Sequence, residues 1–354
     1  MALGRRYWKC TCGRDGSYAA DALLGIEGQR SSGIVQKHAC RLAADVSFAS
    51  ASEHLREMLG VDLCPETVRT LVEGHGKRMA RFQAADTASE RAFQQAAGEV
   101  EFTTDAGKVN TREGGWKDLK IAVIAKREAG EPTTVEGWKT QRLPAATVVL
   151  AFAMIATAKE FRKGWRPRLR RLGVNCMASV HVLADGASWI WKAVGRALTG
   201  CVQTLDFYHG CQHLAKCGDR VFGEGTGEAR AAYETGRTLL ARRGWPGVCQ
   251  WVGGLLAVDD EAERERRRGA TDRLIGYFSK HAGRLNYAER LRAGRAIGSG
   301  QVEGEAKTLG LRLKRRGARW RRANVRPMAS LVCVRHTSQW NAYWNQVASP
   351  PKKS

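Results

Sequence analysis

The sequence has no run approaching the roughly 18–20 consecutive apolar residues that a membrane span needs, so a transmembrane protein is not expected. Its opening residues, MALGRRYWKC, have no apolar core of a secretion signal either. Closely spaced cysteine pairs are scarce: ten Cys are scattered over 354 residues. Cys176, Cys201 and Cys333 lie in apolar settings, where a thiol behaves as a small hydrophobe. This suits an intracellular, reduced chain better than a disulfide scaffold. The shortage with the largest consequence is of acid. There are 35 Asp and Glu against 58 Lys and Arg, a formal net charge of +23. Such a chain calls for a polyanionic partner. Nucleic acid is the first expectation, and an anionic membrane surface is a minor second.

The few acids fall at informative places. Two short apolar runs, Val180–Ala184 and Val202–Leu205, each end in an Asp, Asp185 and Asp206. A buried strand that ends in a carboxylate delivers it to the C-terminal rim of a sheet, where open α/β folds carry their chemistry. Residues 187–198 between them, with Trp189, Ala193 and Ala197 at helical spacing, predict a crossover helix. Upstream, residues 98–104 form a strand ending in Asp105, residues 106–115 a hairpin turn, and residues 116–126 and 145–152 two more strands. Residues 158–171 predict a helix, kinked or broken by Gly164 and Pro167. The order β-β-β-α-β-α-β is that of an RNase H-like mixed sheet, in which the first and fourth strands are neighbours. Asp105 and Asp185 would then repel each other across one rim, and oxygen donors of this kind suit Mg²⁺ or Mn²⁺. Each Asp alone could equally open a turn or cap a helix.

Residues 210–293 carry helical patterning and no strand, which predicts an all-helical insertion. Within it, EAERERRR at 261–268 reads as a solvated face with Glu–Arg pairing. After it, Gly298-Ser299-Gly300 turns onto a helix that would aim Glu303 back at the rim, while Glu305 faces elsewhere. Residues 311–326 contain Arg312, Lys314, Arg315, Arg316, Arg319, Arg321, Arg322 and Arg326 and no acid, a run suited to DNA backbone. Trp320 within it would stack on an unpaired base or pack its own helix. An apolar helix at 328–344 closes the core.

At the other end, Cys10-Thr11-Cys12 resembles half a zinc knuckle, with His38 and Cys40 available to complete a set. The pair is one residue apart, narrower than the usual two to four. From Ala44 on, two helices separated by a Gly60-containing turn, the second opened by Pro65, resemble a helix-turn-helix. Glu66, Thr67, Arg69 and Thr70 would face outward, Val68, Leu71 and Val72 inward, and residues 77–89 would continue as a polar helical linker.

Together, the blocks around Asp105, ADGASWIW, LDFYH and IGSGQVE, with the later RLK and Arg319-Trp320, resemble the ISKra-type insertion-sequence DDE transposases of the Mutator-like group. The resemblance runs from about Tyr7 to Trp344. It implies an RNase H-like catalytic domain interrupted by a helical insertion, and a metal-dependent enzyme that cuts transposon ends and joins them to target DNA. Its catalytic, Mg²⁺-binding triad would be Asp105, Asp185 and Glu303, with Asp206 and His209 in support. It further implies a bacterial, nucleoid-associated homo-oligomer. The sequence departs from the family at Cys10-Thr11-Cys12 and at Asp105-Ala106, where the family has Asp-Gly. The expected division is a partial zinc-ribbon segment (1–43), a DNA-binding region and linker (44–97), the catalytic domain (98–209 and 296–348) around the insertion (210–295), and a tail (349–354). A DNA-binding protein of transposase origin without catalysis, and a nuclease of the same fold that only hydrolyses, remain open alternatives.

Overall fold

The computed structural model describes residues 31–348. Its centre is one five-stranded mixed sheet in the order β3-β2-β1-β4-β5. The strands are β1 (Glu99–Thr111), β2 (Gly115–Arg127), β3 (Val148–Ile155), β4 (Val180–Ala184) and β5 (Val202–Leu205). β1, β2 and β3 form an antiparallel meander, and β4 and β5 add in parallel on the other side of β1. Parallel strands need crossovers, and helices supply them. α5 (Ala158–Arg162) and α6 (Trp165–Arg171) link β3 to β4, and α7 (Ser188–Ala197) links β4 to β5. The break between α5 and α6 falls at Lys163-Gly164, as the sequence suggested.

Each face of the sheet has its own core, which is why residues 119–125 are buried almost without alternation. On one face Phe102, Ile124 and Val182 meet Phe161, Trp165 and Ile190. That core continues into the helical insertion: α8 (Phe207–Phe222), α9 (Gly227–Arg243), α10 (Trp245–Leu256), α11 (Glu261–Phe278) and α12 (Tyr287–Arg292). The insertion has no strand among the described residues, and its 261–268 stretch pairs Glu263 with Arg266 and Arg267 on an outer face. On the other face Ile121 and Val123 meet Val72, Met79, Leu309 and Met328. These come from α3 (Pro65–Ala85), α13 (Gly300–Leu313) and α14 (Arg322–Arg335). Around them stand α1 (Gly33–Asp45), α2 (Phe48–Leu59), α4 (Thr87–Gln95) and α15 (Gln339–Ala348). No helix among the described residues is long and apolar enough to cross a membrane.

Several expectations are corrected. β1 does not stop at Asp105; it runs on to Thr111, because Val109 is buried and Trp320 pairs along its open edge. Residues 77–85 are not a linker but the second half of α3, with Met79, Phe82 and Gln83 buried. A Cβ on Gly76 would collide with the Pro327 carbonyl, so α3 and α14 touch backbone to backbone. The inner face of α7 is Ile190, Trp191, Ala193, Val194 and Ala197, so Ala193 and Ala197 face inward as expected and Trp189 is only partly covered. The expected helix at 328–344 is two helices, α14 and α15, divided after Arg335.

Glu305, on the buried face of α13, has a testable consequence. It is 8% exposed, and its Oε1 has no hydrogen-bond partner. Burial pushes its carboxyl up from 4.5 to about 7. The folded chain therefore keeps a proton that the unfolded chain loses across that window, so stability should fall as pH rises through it. Urea unfolding should show Glu305→Gln nearly unchanged at about pH 4 and more stable than wild type at about pH 8, by up to about 3 kcal/mol. Equal stability of the two proteins at the higher pH would refute this.

Candidate active site

Backbone register brings three aspartates to one edge. The parallel pairing of β1 with β4 ends at Thr103↔Leu183, so Asp105 and Asp185 each lie two residues beyond it. The pairing of β4 with β5 ends at Ala184↔Leu205, so Asp185 and Asp206 each lie one residue beyond. Adjacent strands are about 4.8 Å apart, so this is close quarters for like charges. Burial pushes the Asp105 carboxyl up, and the neighbouring Asp185 charge adds to the shift.

The three carboxylates are held differently. Asp105 Oδ1 accepts from the Ala106 N–H at 2.6 Å, and Asp185 Oδ1 from the Ala187 N–H at 2.9 Å. Their second oxygens accept no hydrogen bond from the described residues. Asp206 is 1% exposed and fully engaged. Its Oδ1 caps α8 by accepting from the His209 N–H at 2.7 Å, and its Oδ2 accepts from the Ser299 N–H at 2.5 Å and hydroxyl at 2.8 Å. Asp206 therefore ties the start of α8 to the turn that opens α13.

That turn delivers Glu303. Its Oε1 lies 3.0 Å from the same Ser299 hydroxyl, whose single hydrogen also faces Asp206. Burial, then Asp206 and Asp105, push the Glu303 carboxyl up. Asp105, Asp185 and Glu303 thus share one electrostatic neighbourhood, entered from strands and a helix 118 residues further on (303 − 185). Among the described residues no three His, Cys, Asp or Glu side chains converge tightly enough to enclose a metal ion. The donor chemistry nonetheless suits a hard divalent cation: oxygen ligands only, two of them with raised carboxyls that a cation would relieve.

Three further groups line this rim and were not singled out by sequence. Ser299 bridges Asp206 and Glu303. Lys120, 5% exposed, lies near enough to favour the Asp105 carboxylate, with its Nζ 4.0 Å from the centre of the Trp189 ring. A Lys set between Leu119 and the apolar run Ile121–Ala125 was the available signal. Tyr277 of the insertion sets its hydroxyl against Gly186, without a hydrogen-bond partner, and stacks on His213 at 3.7 Å. Nothing in the sequence marked it. His209 stands beside this stack and close enough to Asp105 to favour its charged form.

The expected DNA-contact residues divide. Lys314, Arg315, Arg316, Arg319, Arg321 and Arg322 are exposed, and none forms a side-chain ion pair among the described residues. They lie on the loop after α13 and the start of α14, rather than on one continuous basic helix. Arg312 is corrected to a core residue. It is 3% exposed, its Nε donates to the Ala43 carbonyl at 2.5 Å, and its guanidinium lies over the Phe48 and Trp320 rings. Trp320 likewise packs: it is 8% exposed and its Nε1 donates to the Leu313 carbonyl, so it offers no face to a base. Thr67 and Thr70 on α3 are exposed, but Arg69 is neutralised by Glu66 and by Glu73 at 3.0 Å. Cys10 and Cys12 lie outside the described residues. His38 and Cys40 are two positions apart on α1, which sends them to opposite sides, and Cys40 is fully buried.

Removing one of the crowded charges should register directly. Without divalent cation, Asp105→Asn should melt higher than wild type, by about 2–4 °C per kcal/mol relieved. Adding Mn²⁺ should raise the melting temperature of wild type and leave the variant nearly unmoved. An equal rise in both would place cation binding elsewhere. No protein-family model matches the chain, and no curated protein matches it.

Proposed function

We propose that the chain is a DDE-type DNA transposase built on an RNase H-like sheet. The observation that carries this reading is the register that sets Asp105, within β1, level with Asp185 and Asp206 just past the ends of β4 and β5, with Glu303 returned to the same rim after a helical insertion. The strand order, antiparallel for three strands and then parallel for two, supports the fold assignment. The net charge of +23 and the six exposed cations on the loop after α13 and at the first residue of α14 support double-stranded DNA as the partner.

In this reading Asp105, Asp185 and Glu303 hold Mg²⁺ or Mn²⁺, as the one-sided bonding of the two aspartates permits. Bound there, the cations would supply the Lewis acidity that activates a water and neutralises the leaving oxygen of a phosphodiester. Water breaks the phosphodiester at the transposon end and leaves a 3′-hydroxyl. That hydroxyl then attacks a target phosphodiester, forming one P–O bond as another breaks. Asp206 is a positioning residue, because both of its oxygens are committed to backbone and Ser299. Two transposon ends acting together call for a homo-oligomer.

The test is Mg²⁺-dependent cleavage and joining of a DNA substrate by the full chain. Wild type should nick and yield joined products. Asp185→Ala should fall to background. Asp206→Ala should lose about 10–100-fold, as outer-shell partners of a metal site do. Nicking without joined products would instead indicate a hydrolytic nuclease. Nicking by Asp185→Ala equal to wild type would refute the catalytic assignment.

A further inference from the structure

Ten tryptophans fall within the described residues, and nine are at least partly buried. Trp116 is the exception, at 59% exposure. It opens β2 at the tip of the β1–β2 hairpin, opposite Asn110 in the register. Its ring, unlike those of the other nine, is open to solvent and so available to a partner.

The tip is a rigid projection. The Thr111 hydroxyl donates to the Gly115 carbonyl at 2.9 Å, and Gly115 takes a φ of 62°, which closes the turn. The outer edge of β1 is capped by the basic loop: the Arg112 N–H donates to the Trp320 carbonyl at 2.8 Å, and the Trp320 N–H to the Asn110 carbonyl at 3.0 Å. The Arg112 side chain donates to the Arg319 carbonyl at 3.2 Å, and the Arg322 N–H to Glu113 at 2.9 Å. Buried Trp320 thus welds the hairpin to the exposed arginines. The joint surface carries Arg112, Lys117, Arg319, Arg321 and Arg322, with Glu113 as the acid at the tip. Arg112 and Arg321 both lie near enough to Glu113 to favour its carboxylate.

We infer that this hairpin tip is a DNA-binding element in which the arginines hold the DNA backbone and Trp116 stacks on an unstacked base near the cleaved end. The inference rests on the transposase reading and specifies where the DNA lies. Cations around an exposed indole suit nucleic acid better than a protein partner, because phosphates pair with the guanidinium groups while an unstacked base offers its π-face to the ring. The hairpin also separates the two contacts. Asp105 and Asn110 are five residues apart on one strand, about 17 Å, so Trp116 meets the DNA away from the phosphate at the carboxylate rim.

The experiment is duplex binding by the full chain, followed by tryptophan fluorescence and by the emission of 2-aminopurine placed at successive positions from the cleaved phosphate. Trp116→Ala should weaken binding about tenfold, Trp116→Phe should restore most of it, and the melting temperature should not change. The 2-aminopurine signal should respond to wild type most strongly at one position removed from the cleaved phosphate and not respond there to Trp116→Ala. Arg319→Gln with Arg321→Gln should reduce the salt dependence of binding without moving that position. Unchanged affinity and unchanged 2-aminopurine emission in Trp116→Ala, while Asp185-dependent nicking persists, would overturn the inference and leave the transposase reading standing. Absence of any DNA binding by wild type would overturn both.

Discussion

Like charges held together by backbone register are the constraint on which the rest depends. A carboxylate on a flexible loop would swing away from its neighbour. Asp105 cannot, because β1 is hydrogen-bonded on through it, paired with Ile121 on one side and followed by the long hairpin. Asp185 cannot, because β4 lies between β1 and β5 and its next turn is fixed by its own bond to Ala187. The repulsion is built in and is balanced by surroundings that hold the rim in place: Lys120 beneath the strand, the Ser299 hydroxyl between Asp206 and Glu303, and His209 at the start of α8.

This rim organises distant parts of the chain. Asp206 uses both oxygens to join the first turn of the insertion to the turn that follows it, so the insertion leaves and re-enters the sheet at one point. Tyr277, deep in the insertion, closes against Gly186, beside Asp185; any side chain at Gly186 would displace it. On the opposite face α13, α14 and α3 form one packed layer, so the second helix of the pair that resembles a DNA-reading unit is packed into the core around the sheet. The α3–α14 crossing at Gly76 and Pro327 leaves no room for a linker between them.

Much of the sheet was legible in the sequence, for a physical reason. β4 and β5 are short, apolar and ended by Asp, and β4 is buried throughout, so composition alone marks their bounds. β1 was cut short because Ala106-Gly107-Lys108 is a poor strand sequence in isolation. It is held as strand by its partner β2 and by the Trp320 backbone, contacts that come from far along the chain. The same reason explains Arg312. Within a run of eight cations it cannot be told from its neighbours, yet the Ala43 carbonyl and two aromatic rings draw it into the core. Charge counts see residue type, whereas burial depends on which helix face meets which partner. Ser299, Lys120 and Tyr277 join the rim through tertiary packing alone, and only Lys120 left a mark in the pattern.

The central claim is that Asp105, Asp185 and Glu303 together hold divalent cations at the sheet edge. Anomalous scattering from crystals soaked in Mn²⁺ measures this most directly. Manganese should appear as a peak at roughly 2 Å from oxygens of Asp105 and Asp185, with Glu303 completing the set. Manganese bound elsewhere on the chain, with that rim left without a peak, would contradict it.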